Sequence, residues 1–238
     1  MSKTIAFITG TSTGIGYSLT NKLLKEGTSV IGVGRNQKIT HDNYTHITAD
    51  FSDTAETSKV DFKKYVPEDA EKVILINNAG IIDPIQHIGE AEEEKMIRHF
   101  NINLLVPALL TNKFIGQLKG AAGEKVIINV SSGAATSPYD GWACYCSSKA
   151  GLEMFARTVD QEQTLKGNEF KLYSVSPGVI DTPMQNTIRS ADKSSFSNKD
   201  KFVNLKESNL LKDPDKIAED FTYIINNTQK VKDLIISF

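Results

Sequence analysis

Short apolar runs rich in β-branched residues alternate with longer amphipathic stretches along the whole chain. Residues 73–76 and 126–128 are continuously apolar, which is typical of strands covered on both faces of a sheet. Strands that alternate with helix-length segments indicate βαβ units, and hence a parallel sheet. We therefore predict one α/β domain over residues 1–238, with helices on both faces of a doubly wound, seven-stranded parallel sheet in three layers. The predicted strands are Thr4–Thr9, Ser29–Gly34, Thr45–Ala49, Lys72–Asn77, Lys125–Val130, Lys171–Ser176 and Asp233–Phe238.

The amphipathic stretches between these strands predict the helices. Pro107 lacks an N–H and clashes with the preceding turn of a helix, so we expect a break near Asn101–Pro107 in the third of them. The predicted helices are Ile15–Glu26, Thr54–Tyr65, Glu92–Leu118, Tyr145–Thr164 and Asp215–Asn227.

Residues Thr182–Asp213 depart from this alternation. The segment is polar, rich in Ser, Asn and Lys, and far longer than an ordinary connection of about 4–6 residues. It follows the carboxyl end of the sixth predicted strand, where open α/β sheets bind ligands. We interpret residues 182–213 as a substrate-binding lid; a floppy surface insertion is the alternative.

The composition argues against several classes of protein. The chain carries a net charge of −2 with no Lys- or Arg-rich run, so we expect no nucleic-acid partner. No apolar stretch approaches the roughly 20 residues that span a bilayer, so we expect no membrane partner. Residues 1–4 lead directly into an apolar strand without a signal-peptide pattern, which makes the cytoplasm the expected location.

The only cysteines, Cys144 and Cys146, flank Tyr145. Two cysteines at this spacing fit neither a disulfide framework nor a zinc site, and we expect no metal. We interpret them as packing residues in a reducing compartment; a redox-sensing thiol beside the tyrosine is the alternative.

A glycine-rich turn follows the first strand and opens the first helix. Gly10 permits a tight turn, Gly14 lets the backbone approach a pyrophosphate, and Gly16 lets helix and strand pack closely. The helix N-terminus then offers free N–H groups and the positive end of its dipole to an anion. Simple turn glycines are the alternative, but a position in the first βαβ unit favours a dinucleotide-binding Rossmann fold.

The second strand ends in Gly34 and Arg35. A fold selective for NAD usually places a carboxylate here to bind the ribose 2′-hydroxyl. A guanidinium can instead bind a 2′-phosphate through bidentate, charge-assisted hydrogen bonds. We therefore predict NADP(H), with Ser12, Thr13 and Asn36 as further contacts; a solvated surface charge is the alternative for Arg35.

Asp50 and Phe51 follow the third strand. The carboxylate could accept a hydrogen bond from an adenine amino group. A turn or helix-capping aspartate is an equally good interpretation.

Tyr145 and Lys149 lie four residues apart at the start of a predicted helix, so both side chains share one helix face. A tyrosine with a pKa of about 10 is a poor acid–base group near neutral pH. A nearby cation favours the phenolate and lowers that pKa. The pair therefore indicates a proton-transfer site only if the rest of the chain agrees.

Six motifs occur in the order and approximate spacing of one known family. They are Thr9–Gly10 with Gly14 and Gly16, Asn77–Gly80, Asn103, Ser132, Tyr145 with Lys149, and Pro177–Gly178 followed by Thr182. Over nearly its whole length the chain therefore resembles the short-chain dehydrogenase/reductase family. The resemblance implies an oxidoreductase in which a nicotinamide supplies hydride to a carbonyl.

The family's catalytic roles imply a use for four residues. Ser132 is expected to hydrogen-bond the substrate carbonyl, with Ser131 as its less favoured neighbour. Tyr145 is expected to protonate the developing alkoxide, and Lys149 to hold the ribose hydroxyls and tune Tyr145.

Asn103 is the fourth of these residues. The resemblance implies that it kinks its helix and anchors a water for proton relay. Asn101, two residues away, could be confused with it.

The resemblance also completes the predicted cofactor site. Residues 78–80 would line the adenosine-ribose side, and residues 177–182 would contact the nicotinamide carboxamide. The predicted cofactor-binding residues are Gly10, Ser12, Thr13, Gly14, Ile15, Gly16, Arg35, Asn36, Asp50, Phe51, Asn78, Ala79, Gly80, Tyr145, Lys149, Pro177, Gly178, Val179, Ile180 and Thr182.

A narrower likeness covers residues 145–155, 176–185, 188–189 and 205–207, which are similar to the sepiapterin reductase and benzil reductase branch. That branch uses NADPH to reduce vicinal dicarbonyls or the diketo side chain of a pterin. Its pterin-binding members anchor the ring with an aspartate in the last strand, where this chain has Ser237, and Asp233 lies too early. A hydroxyl cannot replace a charged two-acceptor clamp, so we expect a smaller or aromatic dicarbonyl.

The predicted substrate pocket includes one residue with a second interpretation. Trp142 fits a rim or subunit-interface aromatic equally well. The predicted pocket residues are Ser132, Trp142, Tyr145, Met184 and Gln185.

We therefore predict NADPH-dependent reduction of a vicinal diketone, with Tyr145 as the proton donor. One alternative is an NADP-binding regulator or redox sensor on the same fold, although such proteins commonly lose the tyrosine or lysine. The other is a sugar-alcohol or hydroxysteroid dehydrogenase that works oxidatively. The chain has Gly34 where an NAD-linked enzyme would usually have an acidic residue, which argues against an NAD-linked oxidation.

The chain also offers a candidate subunit contact. Residues 104–118 and 150–156 are apolar over more than one helix face, which is consistent with helices that bury a second surface. By resemblance, we predict a homodimer that pairs these helices.

Overall fold

Seven parallel strands form the centre of the structure, a computed structural model that describes residues 3–238. Their order across the sheet is β3-β2-β1-β4-β5-β6-β7, so the direction of winding reverses between β1 and β4. The predicted doubly wound, parallel α/β fold is confirmed. The strands are β1 Thr4–Thr9, β2 Ser29–Gly34, β3 Tyr44–Thr48, β4 Lys72–Asn77, β5 Glu124–Val130, β6 Phe170–Ser176 and β7 Ile235–Ser237.

Seven α-helices lie in the described part of the chain. They are α1 Gly14–Lys25, α2 Glu93–Phe100, α3 Val106–Leu118, α4 Ala143–Leu165, α5 Pro183–Ser190, α6 Lys199–Glu207 and α7 Pro214–Asn226.

Alternating side chains of the strands divide the core into two layers. On β1, Ile5 and Phe7 pack with Phe114 of α3, whereas Ala6 and Ile8 pack on the opposite face, among side chains of α1 and α7. Because both faces are covered, the strands are apolar at nearly every position, as the continuous runs in the sequence predicted.

The predicted break in the long third helix is confirmed. Residues Asn101–Leu105 form a π-helical turn between α2 and α3, and Pro107 lies in the first turn of α3. A proline is tolerated there because the first N–H groups of a helix have no intrahelical partner. The π-turn brings Asn103 into the interior, where it is 1% exposed.

The predicted helix Thr54–Tyr65 is wrong. Only Thr54–Lys59 forms a 3₁₀-helix, and Val60 is extended. Val60 and Phe62 are both buried, and a spacing of two suits extended chain rather than a helix. The N–H of Phe62 donates to the Gln117 side chain, which replaces a helical hydrogen bond.

The segment 182–213 is more regular than its composition indicated, because it contains α5 and α6. Its base is closed by backbone pairing: the N–H of Lys212 donates to Val179 O, and the N–H of Asp181 donates to Lys212 O. The segment thus leaves the sheet after β6 and returns to the same place.

Within residues 3–238, no helix combines the length and apolarity needed to cross a membrane.

Candidate active site

A cleft of about 620 Å³ opens at the carboxyl ends of the strands, where the winding of the sheet reverses. This is the place where open α/β sheets bind ligands, and the volume suits a small organic molecule. All but two of the predicted site residues line it; the exceptions are Gly16 and Asn103, which lie behind the wall. The predicted residues that line it are Gly10, Ser12, Thr13, Gly14, Ile15, Arg35, Asn36, Asp50, Phe51, Asn78, Ala79, Gly80, Ser132, Trp142, Tyr145, Lys149, Pro177, Gly178, Val179, Ile180, Thr182, Met184 and Gln185.

The glycine-rich turn is packed too tightly for side chains. Gly10 and Gly14 have positive φ angles of 75° and 57°. A Cβ on Gly16 would lie 2.1 Å from Gly10 O and 2.4 Å from the Asn78 amide nitrogen. That amide donates to Thr9 O and Gly10 O at 2.9 and 3.0 Å, so Asn78 fastens the turn to the end of β4.

The N-terminus of α1 faces the cleft without a side-chain cap. Thr13 occupies the capping position but makes no capping hydrogen bond, and the first turn holds no acidic residue. The first N–H groups are therefore available to an anion, in line with the positive end of the helix dipole. This arrangement fits the pyrophosphate of a dinucleotide.

Arg35 and Asp50 lie near each other on the cleft wall, after β2 and β3. Hydrogen bonding from Ser52, whose N–H lies 3.0 Å from Asp50 Oδ1, lowers the pKa of Asp50, and the charge of Arg35 lowers it further. Asp50 thus makes the local turn contact that its alternative interpretation expected while also lining the cleft. Arg35 is exposed and makes no ion pair with any acidic side chain of residues 3–238.

Tyr145 lies at the inner end of the cleft and is 8% exposed. Burial raises the pKa of its hydroxyl, and a hydrogen bond with the Ser132 hydroxyl opposes that rise. The expectation that Lys149 lowers this pKa is not met in the protein alone. The reason is that burial lowers the pKa of Lys149 to about 8, so its amine has lost its charge where the phenol titrates. The nitrogen lies 5.7 Å from the ring centroid and donates to Val130 O at 2.7 Å.

Lys149 is itself strongly perturbed. Burial lowers the pKa of its ammonium to about 8. Its hydrogen bond to Val130 O fixes the amine at the floor of the cleft, beside Tyr145.

The structure shows which of the two neighbouring serines and which of the two nearby asparagines lies next to the buried tyrosine and lysine. The Ser132 hydroxyl meets Tyr145, whereas Ser131 Oγ is buried without a partner in residues 3–238. Asn101 donates to Ser52 O, away from Tyr145. Asn103 lies under the cleft and holds the backbone of Ile81.

An aromatic cluster of Tyr139, Trp142, Phe196 and Phe202 forms the outer wall beside Tyr145. Trp142 stacks on Phe196 with centroids 4.8 Å apart and meets Tyr145 edge-on at 5.6 Å. At 4% exposure, Trp142 does not occupy an exposed rim. Three rings of this cluster, those of Tyr139, Trp142 and Phe202, line the cleft.

Sequence reasoning missed several supporting residues. Tyr139 and Phe202 line the cleft, but no sequence motif marks them, and only the folded structure shows that they lie there. A second group fixes the cofactor end: the Thr11 hydroxyl bonds Tyr44, Tyr44 bonds His46 Nδ1, and His46 Nε2 lies 3.1 Å from Gly34 O. No sequence motif marks this series of hydrogen bonds, because its members come from different strands and loops.

The fold and this cleft define a class. A parallel sheet with an uncapped glycine turn at its switch point, and a buried Ser–Tyr–Lys group in the same cleft, are the parts of a nicotinamide-dependent oxidoreductase.

The chain belongs to the short chain dehydrogenase family, which it matches over residues 4–193. It is 38% identical to a benzil reductase ((S)-benzoin forming) of Bacillus subtilis (strain 168) over 220 residues, which cover 89% of this chain and 88% of that protein. The sepiapterin reductase of Bos taurus is more distant, at 28% identity over 126 residues, 52% of this chain and 46% of that protein. The crystal structure of the short chain dehydrogenase/reductase YIR035C of Saccharomyces cerevisiae shares the fold with a TM-score of 0.84 at 26% identity, covering 98% and 95% of the two chains.

These matches confirm the predicted family and its benzil and sepiapterin reductase branch. The protein is therefore an oxidoreductase of a family that uses a nicotinamide cofactor, and it acts on the C=O or CH–OH group of a small molecule.

Proposed function

We propose that this protein reduces one carbonyl of a benzil-like vicinal diketone to the hydroxy ketone, with NADPH as the reductant. The observation that carries the proposal is the buried Tyr145 side chain, which lies beside Ser132 on the cleft wall and meets the Trp142 ring edge-on at 5.6 Å. The aryl groups of such a diketone match that wall, and the relatives include a benzil reductase.

NADPH, when bound, supplies the hydride. The uncapped N-terminus of α1 would hold its pyrophosphate, and Arg35 would bind the 2′-phosphate that distinguishes it from NADH. A carboxylate at the end of β2 would repel that phosphate, and this chain has Gly34 there.

The proton comes from the protein. Ser132 and Tyr145 both line the cleft and lie close together, so both hydroxyls could donate to one carbonyl oxygen as negative charge develops on it. Because burial raises the Tyr145 pKa, the phenol is protonated before reaction, as a proton donor must be. Lys149, with a pKa of about 8, lies on the adjacent helical turn and would bind the ribose hydroxyls and return a proton to Tyr145.

The position of the last strand, β7, argues for a diketone substrate rather than a pterin. Neither Asp233 nor Ser237 is among the residues that line the cleft, and Ser237 instead pairs with Ser176 at the edge of the sheet. The last strand thus contributes no carboxylate to the cleft wall, and within residues 3–238 the two acidic residues that line it, Asp50 and Asp83, follow β3 and β4 instead.

The segment 182–213 would act as the lid over this substrate. It supplies Met184, Gln185 and Phe202 to the cleft wall, and its Phe196 stacks on Trp142. Such a lid would exclude water from the site of hydride transfer.

We further propose a homodimer that pairs α3 and α4. Leu105, Leu109 and Met154 are 46%, 43% and 63% exposed, although they are apolar and lie on or next to these helices. Light scattering at micromolar protein concentration should give twice the mass of the chain. A monomer at that concentration contradicts the proposal.

A cytoplasmic location fits the cysteines. Cys144 and Cys146 are both free thiols, which persist in a reducing compartment.

An NADPH-oxidation screen across benzil, simple diketones, sepiapterin and quinones tests the substrate class. We expect benzil and related aryl diketones to give the highest kcat/KM, with benzoin as the product. Preference for sepiapterin would overturn the diketone assignment. Tight NADPH binding without turnover of any carbonyl would favour a regulatory protein instead.

A further inference from the structure

His99 is a completely buried histidine beneath the cleft, and the proposed chemistry does not use it. It lies at the end of α2, one turn before Asn103. Its ring meets the Tyr145 ring edge-on, with centroids 6.1 Å apart. Three separate parts of the site contact this one side chain.

The contacts of Asn103 define one nitrogen of the imidazole as an acceptor. Asn103 Oδ1 accepts from the N–H of Ile81 at 2.9 Å, and its Nδ2 donates to Ile81 O at 2.8 Å, so the amide has one orientation only. The second hydrogen on Nδ2 points to His99 Nε2, 2.9 Å away. Nε2 must therefore carry a lone pair and not a proton.

The other nitrogen is defined independently. His99 Nδ1 lies 2.6 Å from the backbone carbonyl oxygen of Asp83, which can only accept. Nδ1 must therefore carry the proton, and both contacts require the same neutral tautomer. Burial lowers the pKa of His99, and the charge of Lys149 acts in the same direction, so the neutral form is favoured at physiological pH.

We propose that His99 is a positioning residue for the proton-donating tyrosine, a neutral imidazole that ties the loop after β4 and the π-turn to helix α4. Its Nδ1–H holds Asp83, next to Ile82, which packs in the same cluster as Tyr145. Its Nε2 holds Asn103 and lies 3.1 Å from the Ser148 hydroxyl.

Ser148 carries the connection to the reactive group. Its hydroxyl donates its one hydrogen to the backbone carbonyl oxygen of Tyr145 at 2.9 Å, within the first turn of α4, so Ser148 contacts the imidazole by packing and not through a hydrogen bond. Displacement of the imidazole would therefore loosen both the turn that bears Tyr145 and the Asn103 amide below Lys149. An error of about 1 Å in such a group can reduce turnover by about 100-fold.

Three substitutions distinguish the effects of the two hydrogen bonds of His99, to Asp83 and to Asn103, from the effect of its packing. His99→Phe keeps a ring in the cavity but removes both hydrogen bonds. His99→Gln can place a carbonyl oxygen near the position of Nε2 and keep the acceptor for Asn103. His99→Asn can keep the donor to Asp83 through an amide near the position of Nδ1 but loses that acceptor. His41→Gln is the matched control, because His41 is exposed and only accepts from the N–H of Asn43.

The kinetic test measures kcat, KM and the thermal midpoint for each variant with NADPH and benzil. We expect His99→Phe to lower kcat by about 10- to 100-fold with KM for NADPH within about twofold, and His99→Gln to recover most of kcat. His99→Asn should resemble His99→Phe. The inference is wrong if kcat is unchanged in His99→Phe, or if kcat follows the thermal midpoint and His99→Gln is no better than His99→Phe.

A second test needs no turnover, since the kinetic test rests on the proposed reduction. The ¹⁵N NMR spectrum of the imidazoles reports the tautomer of each of the four histidines, and the signals lost in His99→Gln identify His99. We expect a neutral ring protonated at Nδ1 at physiological pH. A ring protonated at Nε2, or at both nitrogens, refutes the inference. If the wild type reduces no carbonyl but the tautomer is as expected, the proposed function fails and the positioning role of His99 does not.

Discussion

At the scale of single residues, the proposed reaction depends on Arg35 for the cofactor and on Tyr145 and Lys149 for the proton. Arg35 follows the last residue of β2, Gly34, and lines the cleft wall. Tyr145 and Lys149 lie inside, where burial raises one pKa and lowers the other. In the proposed reaction, Arg35 would select the cofactor, and Tyr145 and Lys149 would handle the proton.

Arg35→Glu should weaken NADPH selectively. The variant loses bidentate hydrogen bonds to a phosphate and adds a like charge, so we expect KM for NADPH to rise at least about 10-fold. KM for NADH should change little, because NADH has no 2′-phosphate. Initial rates with each cofactor at saturating diketone measure both values.

Lys38→Glu makes the same charge change on an exposed residue that does not line the cleft, and it should leave both KM values unchanged. A wild-type preference for NADH, or equal effects of Lys38→Glu and Arg35→Glu, contradicts the cofactor assignment.

At the scale of elements, the segment 182–213 is held against the cleft by one carboxylate. Asp140 accepts from the N–H and hydroxyl of Ser197 at 2.7 and 2.8 Å and from the amide of Asn198 at 3.3 Å. It lies two residues before Trp142, onto which Phe196 of the same segment stacks. The contact fastens the segment to the loop that carries the aromatic wall.

Asp140→Ala should therefore raise KM for the diketone by about 10-fold, since hydrogen bonds to a charged group contribute about 1.5–3 kcal/mol. KM for NADPH should stay within about twofold. Steady-state kinetics with both substrates measure the difference.

Asp192→Ala is the matched control for this prediction. Asp192 accepts from Ser194 inside the same segment, so its loss breaks side-chain bonds without releasing the segment from Asp140. If Asp192→Ala raises KM for the diketone as much as Asp140→Ala does, Asp140 has no special role in closure.

The elements also show how far sequence reasoning reaches. The strands and the break before Pro107 could be predicted because continuous apolar runs and a proline act locally. Helices α5 and α6 were missed because the segment is polar, although Pro183 after Thr182 and the Met184–Ile188 spacing mark a helix start. The 3₁₀ turn at Thr54–Lys59 was mistaken for a helix because Phe62 is held by a distant residue, Gln117.

In the candidate site, too, residues marked by local motifs could be predicted, and residues that act through distant contacts could not. The family motifs pointed to residues that line the cleft or lie just behind it. His99 could not be identified from the sequence, because its importance depends on Asp83 and Ser148, which are distant in the chain. Contacts between residues that are distant in the chain produce no characteristic spacing in the sequence.

At the scale of the whole molecule, a charged cluster fastens the amino ends of the central strands. Glu124 lies 3.0 Å from the ammonium of Lys72 and 2.7 Å from that of Lys171, at the starts of β4, β5 and β6. Burial alone would raise the pKa of Glu124, but hydrogen bonds from Lys171, Thr228 and Lys72 outweigh it and bring the pKa to about 2. The ionised carboxylate is thus favoured by folding.

Glu124→Gln should lower the free energy of unfolding at pH 7 by roughly 1–3 kcal/mol. Because the folded pKa is lowered from its ordinary value of 4.5, this stabilisation is fully present above about pH 4.5 and is lost as the pH falls towards 2. The difference between variant and wild type should therefore shrink over that range. Urea unfolding at neutral and acidic pH measures it.

Glu219→Gln provides the comparison, because Glu219 pairs with Lys216 on an exposed helix face. We expect almost no change in unfolding free energy for that variant. A loss in Glu124→Gln that is the same at pH 7 and at about pH 2 would show that the lost stability is not electrostatic.

Turnover of Tyr145→Phe tests the central claim most directly. The substitution removes one hydroxyl from the inner end of the cleft and keeps the ring against Trp142. NADPH oxidation with benzil should fall by about 10²- to 10⁴-fold, while NADPH binding, followed by the fluorescence of the reduced nicotinamide, stays within about twofold. Turnover near the wild-type rate with NADPH bound would show that Tyr145 is not the proton donor.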